Sequence, residues 1–144
     1  MNKPIVRKIP CGAVVMNNGK VLIVKRSSSE ENLPNIWELP SGRKENMESL
    51  EQAVVREVKE ETGLAVSAEK PFHTFSYSIE KENEIRDTVQ VNYKVKLIHP
   101  DQPVVLSHEH QSFVWVLPEE ISGYDLSLET RNAIELAIQE TNRS

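Results

Sequence analysis

The sequence predicts a protein of the α+β or α/β class, with helices packed on a mixed β-sheet. Three observations lead to this prediction: two apolar runs joined by an Asn-Gly turn, a later segment in which apolar and polar residues alternate, and two segments with helical periodicity. Strands outnumber helices, and a helix separates the first hairpin from the later strands. The 144 residues suffice for a buried core, so we expect a single domain over residues 1–144.

The composition restricts the partners and the compartment. There is no apolar run of about 18 residues and no signal-like start, so we expect no membrane partner. The single cysteine, Cys11, cannot form an internal disulfide, which fits a reducing compartment, and we expect a cytoplasmic protein. A net charge of -5 repels polyanions and argues against a nucleic-acid partner. The oligomeric state stays open between a monomer and a homodimer.

The first predicted element is a β-hairpin at residues 13–26, "AVVMNNGKVLIVKR". Its Asn-Gly pair supplies the positive φ angles that a tight hairpin turn needs. The next stretch, residues 27–48, is polar and contains proline, and it has neither a helical nor a strand period. Loops of this length inside compact domains are usually functional or disordered.

A helix is predicted from Leu50 to Thr62. Ser49 and Gln52 form a capping box at its start, and Gly63 follows its end, where a left-handed residue commonly stops a helix.

The later strands are predicted from alternation. Residues 88–98, "TVQVNYKVKLI", place Val89 on an apolar face and Asn92 on a polar one, as in a half-buried strand. Residues 72–80 form a partner strand, joined to it through the charged turn 81–87.

The chain is predicted to end with a strand and a helix. Residues 112–117, "SFVWVL", form the strand, and residues 127–141 form an amphipathic helix that Ser127 caps.

The glutamates near the end of the first helix lie on an unexpected face. At about 100° per residue, Glu57 and Glu61 project onto the apolar side that must pack on the sheet, with Glu60 at its edge, whereas Arg56 projects onto the solvated side. A solvated charge run is the alternative interpretation, and its cost of about 0.3–1 kcal/mol per carboxylate does not exclude it. On a face turned to the core, unpaired charge costs several kcal/mol per ion. Clustered carboxylates there favour a hard divalent cation such as Mg²⁺.

The segment 42–64 carries a recognisable pattern. It reads Gly42, five residues, Glu48, seven residues, and then "REVKEETGL". This resembles the Nudix box at every defined position, and a chance match has a probability on the order of 10⁻⁸ per starting point. The preceding "IWELPSG" resembles the strand and turn that lead into the box. The chain departs from the family pattern at Ser41, where a second glycine is usual.

The resemblance implies an α/β/α sandwich that binds Mg²⁺, with Mn²⁺ as an alternative ion, and hydrolyses a nucleoside diphosphate linked to another moiety. The positions that match the family's metal ligands are Glu57, Glu60, Glu61 and the carbonyl of Gly42. By the same resemblance, Arg56 and Glu48 form an ion pair that orients the helix.

The resemblance leaves the proton acceptor open between two glutamates. Glu57 is one candidate, and Glu109 in "LSHEHQSFVW" is the other, since the family often brings a downstream acid from a loop before the last strand. A plain surface acid is the alternative interpretation of Glu109. His108 and His110 flank it, and we do not interpret two histidines at this spacing in a loop as a transition-metal pair.

Substrate contacts are expected from cations and aromatic residues. The cations that the resemblance places near phosphates are Arg26, Arg43 and Lys44, with ordinary solvation as the alternative for Lys44. The candidates for stacking on a base are Trp37, Phe75 and Tyr77, with core packing as the alternative for each.

Within the family, the box segment is most similar to the MutT-type branch that removes unwanted nucleotides. We therefore expect a Mg²⁺-dependent pyrophosphohydrolase that converts a nucleoside triphosphate, including a damaged or non-standard one, to nucleoside monophosphate and pyrophosphate. One alternative is a Nudix hydrolase acting on another nucleoside-diphosphate derivative such as ADP-ribose. The other is a non-catalytic Nudix module that senses a nucleotide, but such modules tend to lose a box glutamate and this chain has all three.

Overall fold

The computed structural model describes residues 2–143, in which two helices pack on opposite faces of a mixed sheet. The strands are β1 (Ile5–Lys8), β2 (Pro10–Asn17), β3 (Lys20–Arg26), β4 (Trp37–Glu38), β5 (Ser41–Arg43), β6 (Val66–Glu80), β7 (Ile85–Leu97) and β8 (His110–Val116). The helices are α1 (Leu50–Thr62) and α2 (Leu128–Arg143), and a 3₁₀ helix spans Pro118–Gly123. This arrangement is the expected α/β/α sandwich.

The sheet is mixed because β7 pairs in parallel with both β1 and β2, whereas the other pairs are antiparallel. The main path runs β1-β7-β2-β3-β4, and β5, β6 and β8 pair with β2, β7 and β3 respectively. Neither α-helix in the described part of the chain is long and apolar enough to cross a membrane.

Alternation along β2 divides the interior into two cores. Ala13 and Val15 belong to the core that contains Val58 of α1, and Val14 between them belongs to the core that contains Ile134 of α2. Successive side chains of a strand point to opposite faces, so one strand supplies both cores. The free cysteine, Cys11, is buried in the α1 core.

The predicted hairpin is confirmed. Asn18 and Gly19 have φ angles of 54° and 76°, and this two-residue turn joins Asn17 of β2 to Lys20 of β3. Two consecutive positive φ angles match the twist of the flanking strands.

Both predicted helix starts are confirmed, as is the end of α1. The Ser49 hydroxyl accepts the Gln52 N–H at 3.0 Å, and the Gln52 carboxamide oxygen accepts the Ser49 N–H at 2.9 Å. Gly63 has a φ angle of 75° and donates its N–H to the carbonyl of Lys59. At the start of α2, the Ser127 hydroxyl accepts the Thr130 N–H at 3.1 Å.

The apolar and polar faces expected for residues 88–98 are partly wrong. Val89 is 40% exposed, whereas Asn92 is only 1% exposed. The 13 residues of β7 extend over about 43 Å, roughly twice the length of the 13-residue α1, so the helix covers only part of the strand and leaves Val89 outside. The opposite face is only partly solvated: Lys96 is exposed, whereas the buried Asn92 amide is hydrogen-bonded to Gln90 and His73.

The stretch 27–48 contains two short strands, although it has no strand period; β4 lies in the segment that resembles the family's strand and turn. β4 has two residues and β5 has three, and they pair with β3 and β2. Strands this short show no period of their own, so their pairing with distant residues defines them.

Candidate active site

Three glutamates of α1 lie beside β5. Glu61 is 3% exposed, and the Glu57 and Glu60 side chains are 13% and 57% exposed. α1 packs on the sheet with the face that carries Glu57 and Glu61, as the helical projection predicts, and Glu60 lies at the edge of that face.

Two of these carboxyl groups lie against the backbone of β5. The Ser41 N–H donates to Glu61 Oε1 at 2.9 Å. A Cβ atom on Gly42 would overlap the carboxyl group of Glu57, so Glu57 lies against the strand only because residue 42 has no side chain.

The backbone conformation explains why serine can occupy position 41, where the family pattern usually has glycine. Among residues 2–143, the non-glycine residues with positive φ angles are Asn18, Leu33, Asn35 and Met47. Ser41 therefore does not need the conformational freedom of glycine, and its N–H still serves Glu61.

Arg56 joins the glutamates into one network. Its Nε and Nη2 donate to the two carboxylate oxygens of Glu48 at 2.6 and 2.9 Å, and its Nη1 donates to Glu57 at 2.6 Å and to Glu60 at 3.2 Å. Nη2 also donates to the Arg43 carbonyl at 3.0 Å. The expectation of a solvated Arg56 is wrong, because Glu48 and the end of β5 cover that side of the helix and leave the side chain 23% exposed.

The pKa values of the glutamates shift in opposite directions at the two ends of this network. Hydrogen bonds from Arg56 lower the pKa of Glu48 to about 2. Burial raises the pKa of Glu61 to about 9, and the charges of Glu109, Glu38 and Glu57 act in the same direction against the Ser41 hydrogen bond. Burial also raises the pKa of Glu57, although Arg56 opposes the change. At the buried end, burial and neighbouring carboxylates therefore disfavour the ionised forms of Glu57 and Glu61.

Glu109 lies near the buried carboxylates. Its side chain is exposed, whereas its backbone carbonyl accepts the Ser27 N–H at 2.9 Å and its N–H donates to the Ser107 hydroxyl at 3.3 Å. Its charge contributes to the raised pKa of both Glu57 and Glu61. The structure thus brings Glu109 to the α1 glutamates, from 48 residues beyond Glu61 in the sequence.

A second polar cluster, which the sequence analysis missed, joins β3, β4 and β8. The buried His110 donates from Nε2 to Glu38 Oε2 at 2.8 Å, and Arg26 Nη1 donates to the same oxygen at 3.3 Å. Strand pairing places β3 between β4 and β8, which brings together residues 72 positions apart. His108, in contrast, is exposed.

Two adjoining pockets, which share four lining residues and are together called the cleft, lie beside the two clusters. One half, with a volume of about 460 Å³, is lined by apolar and aromatic side chains that include Ile36, Trp37, Leu39, Phe75, Tyr77 and Ile79. The other half, of about 280 Å³, is lined by four cations: Lys8, Arg26, Arg43 and Arg86. Ser41 lines the apolar half and Gly42 lines the cationic half, so the α1 glutamates lie beside the middle of the cleft.

The three aromatic candidates separate between core and cleft. Phe75 and Tyr77 stack on each other with ring centroids 5.6 Å apart, line the cleft, and belong to neither core. Trp37 also lines the cleft, but it packs edge-on against Tyr124 at 5.2 Å and borders the α2 core. Trp37 therefore packs against the core and also faces the cleft.

Of the three candidate phosphate-binding cations, two lie at the cleft and one does not. Arg26 and Arg43 line the cleft, whereas Lys44 lies outside its lining with its exposed Nζ on the Glu45 carbonyl. Lys8 and Arg86 also line the cleft. The sequence does not indicate them, because only the parallel pairing of β1 with β7 brings them to the same pocket.

Within residues 2–143, no three His, Cys, Asp or Glu side chains already converge as a metal-binding group. The carboxylates of Glu57 and Glu60 are turned to Arg56, and that of Glu61 is turned to the Ser41 N–H.

Known proteins resemble this chain in sequence and in fold. The NUDIX domain profile matches residues 7–137. The nucleoside triphosphatase NudI of Escherichia fergusonii is 30% identical over 136 residues, which cover 90% of this chain and 95% of the relative. A MutT protein from Methanosarcina mazei Go1 superposes with a TM-score of 0.77 at 26% identity, covering 100% of this chain and 99% of the other. The NUDIX domain of Shewanella oneidensis NrtR, complexed with ADP ribose, shares the fold, with a TM-score of 0.74 at 21% identity over 94% of this chain and 89% of that one. The family profile covers most of the chain and includes the glutamates of α1, and the chain therefore belongs to the NUDIX domain family and is a Nudix hydrolase.

Proposed function

We propose that this Nudix hydrolase is a Mg²⁺-dependent pyrophosphohydrolase that cleaves a nucleoside triphosphate, including a damaged or non-standard one, to nucleoside monophosphate and pyrophosphate. The observation that carries the proposal is the two-part cleft, whose apolar, aromatic half suits a base and whose cationic half suits phosphates. The α1 glutamates lie beside the junction of the two halves. The relative NudI is named a nucleoside triphosphatase and aligns over 95% of its length, which supports the same substrate class.

The residues beside β5 fit a divalent cation. Nudix hydrolases generally use such ions, and the proposed ligands are Glu57, Glu60, Glu61 and the carbonyl of Gly42. These are oxygen donors, which Mg²⁺ and Mn²⁺ prefer. Burial and neighbouring carboxylates raise the pKa of Glu61, and a bound cation would instead favour its ionised form. The missing Cβ of Gly42 leaves room for the Glu57 carboxylate beside the strand. When bound, the ion would neutralise phosphoryl charge and lower the pKa of an attacking water.

The remaining roles follow from the contacts of each side chain. Arg56 and Glu48 act as positioning residues, because their two hydrogen bonds fix the guanidinium that also holds Glu57 and Glu60. We assign Glu109 as the proton acceptor in preference to Glu57, since the Glu57 carboxylate is confined between Arg56 and Gly42 while the Glu109 side chain is exposed.

The phosphates are proposed to bind in the cationic half of the cleft. Arg43 is the closest of its cations to the glutamates in sequence and follows Gly42 directly, and its carbonyl is fixed by Arg56. Arg26 forms ion pairs with Glu38 and Glu30. We therefore expect it to contribute less to phosphate binding than Arg43.

The experiment is a hydrolysis screen with Mg²⁺ over nucleoside triphosphates, ADP-ribose and dinucleoside polyphosphates, with pyrophosphate, phosphate and monophosphate measured as products. We expect a triphosphate to give monophosphate and pyrophosphate with the highest kcat/KM. Hydrolysis of ADP-ribose alone would change the substrate class, and binding without hydrolysis of any nucleotide would support the sensing module instead.

Variants connect this activity to α1. Glu60→Gln and Glu61→Gln should each lower kcat by at least about 10²-fold with the fold retained, the scale lost when one charge-stabilising group is removed. Glu135→Gln, on the exposed side of α2, serves as the control and should leave kcat unchanged. Near-normal activity of Glu60→Gln and Glu61→Gln would place the reaction elsewhere.

A further inference from the structure

Glu38 lies at the junction of the two halves of the cleft. Four residues line both halves: Leu33, Glu38, Tyr77 and Ile79. Glu38 is the charged member of this set, so a ligand that extends from the apolar half to the cationic half passes its carboxylate. The side chain is 25% exposed, which leaves it accessible from the cleft.

Two side chains, those of His110 and Arg26, fix Glu38 through a single oxygen. His110 Nε2 donates to Oε2 at 2.8 Å, and Arg26 Nη1 donates to the same Oε2 at 3.3 Å. The strand register shifts between Lys25 and Arg26, opposite His110, so a bulge accompanies this convergence. Because both donors use Oε2, Oε1 is left as the acceptor that Glu38 can offer to a ligand.

The geometry of this cluster has a cost in stability. With Nε2 on Glu38, the other ring nitrogen of His110, Nδ1, is buried without a hydrogen-bond partner in the described part of the chain. Unsatisfied buried polar atoms destabilise a fold and call for an explanation. Holding Glu38 in a set orientation at the cleft provides one, since His110 lies behind it with its side chain 1% exposed.

The hydrogen-bonding character of a carboxylate indicates which part of a nucleotide Glu38 would contact. An ionised carboxylate only accepts hydrogen bonds. Phosphates offer acceptors and negative charge, and they are better placed among the cations, while the base is better placed among the aromatic rings. The part between base and phosphates is the sugar, whose hydroxyl groups are donors.

We propose that Glu38 Oε1 accepts a hydrogen bond from a hydroxyl group of the substrate's sugar and so selects nucleotides whose sugar carries that hydroxyl. This inference rests on the proposed nucleotide substrate. It makes Glu38 a specificity-determining residue, and it makes His110 and Arg26 the residues that position it.

The test compares three sugars on one base: ribose, 2′-deoxyribose and 2′,3′-dideoxyribose. Binding of the monophosphates is measured by calorimetry, and kcat/KM is measured for the triphosphates. The wild-type protein should favour a hydroxyl-bearing sugar over the dideoxy sugar by about 10-fold, as expected for a hydrogen bond to a charged group. An equal response to ribose and 2′-deoxyribose would identify the 3′-hydroxyl, and a preference for ribose alone would identify the 2′-hydroxyl.

Variants separate a direct contact from a structural effect. Glu38→Ala should reduce the preference to less than about 2-fold by weakening the hydroxyl-bearing nucleotides while leaving the dideoxy nucleotide nearly unchanged. Glu38→Gln, which keeps the side-chain volume, should reduce the preference if Glu38→Ala fails to fold. Glu30→Ala is the matched control, because Glu30 also pairs with Arg26, at 3.5 Å, but does not line the cleft, so the preference should remain.

The inference is overturned if the wild-type protein shows no hydroxyl preference in either measurement, or if Glu38→Ala keeps it. Failure of the proposed function has a different signature. A hydroxyl preference in binding, without release of pyrophosphate from any triphosphate, rejects the reaction and leaves the role of Glu38 supported.

Discussion

The carboxyl group of Glu57 occupies the space that a Cβ atom on Gly42 would need. Gly42 is not required for its backbone angle, because the glycines with positive φ in the described part of the chain are Gly19 and Gly63. It is required for the missing side chain, which lets α1 place Glu57 directly against β5. This contact ties the first residue of the Nudix box to the helix that follows it.

Replacing Gly42 by alanine should therefore displace Glu57. We expect Gly42→Ala to lower kcat by at least about 10²-fold, since the carboxylate can no longer take part in the charge stabilisation for which it is positioned. The measurement is steady-state kinetics together with the melting temperature. Gly123→Ala is the control, because a Cβ there meets nothing within 4 Å. A Gly42→Ala enzyme with normal kcat would show that the position of Glu57 does not matter.

Mg²⁺ should raise the melting temperature of the wild-type protein. The folded chain brings the α1 glutamates together, whereas the unfolded chain has no assembled site, so binding stabilises the folded state. In Glu57→Gln the shift should become much smaller, while Glu135→Gln should keep it. Scanning calorimetry or thermal-shift measurements over a Mg²⁺ titration provide the test, and an unchanged shift in Glu57→Gln would place the cation elsewhere.

The metal-free protein should lose stability as the pH rises. The pKa of Glu61 is about 9 in the folded chain against an ordinary value of 4.5, so the folded state holds a proton that the unfolded state releases between these values. Stability from this group is therefore present below about pH 4.5 and is lost as the pH rises towards 9. The raised pKa of Glu57 acts in the same direction.

Denaturant unfolding in the presence of EDTA at pH 6 and pH 8.5 checks this expectation. Glu61→Gln, which carries no titrating proton, should show a flatter dependence on pH and a higher free energy of unfolding than the wild type at the upper pH. Parallel pH dependences of the two proteins would contradict the assignment.

Glu109→Gln should lower kcat and leave KM and Mg²⁺ affinity nearly unchanged, because a proton acceptor acts in the reaction step and not in binding. The acidic limb of the pH profile of kcat should change as well. The measurement is kcat across pH at saturating Mg²⁺ and substrate, with Glu119→Gln, at an exposed position beyond β8, as the control. A wild-type profile would assign the proton to Glu57, and a changed Mg²⁺ requirement would make Glu109 a metal ligand.

The sequence by itself determined the elements and residues that depend on neighbours in the chain. α1 begins and ends where its capping box and Gly63 predict, since the groups that stop a helix lie within one turn of its ends. Its glutamates were found because the Nudix box is contiguous, and helical periodicity placed Glu57 and Glu61 on the buried face. The hairpin at Asn18 and Gly19 is equally local.

Only the tertiary structure decided which residues from distant strands share the cleft. Glu38 meets His110 through β3, and the pairing of β1 with β7 brings Lys8 and Arg86 to the same half of the cleft. The exposure of Val89 depends on how far α1 reaches along the sheet, which no pattern within β7 reveals. Strand pairing joins residues that are more than 70 positions apart, and a bulge in one strand changes which side chains meet. Local propensity encodes neither the pairing nor the bulge, so the sequence pattern alone does not reveal which distant residues share the cleft.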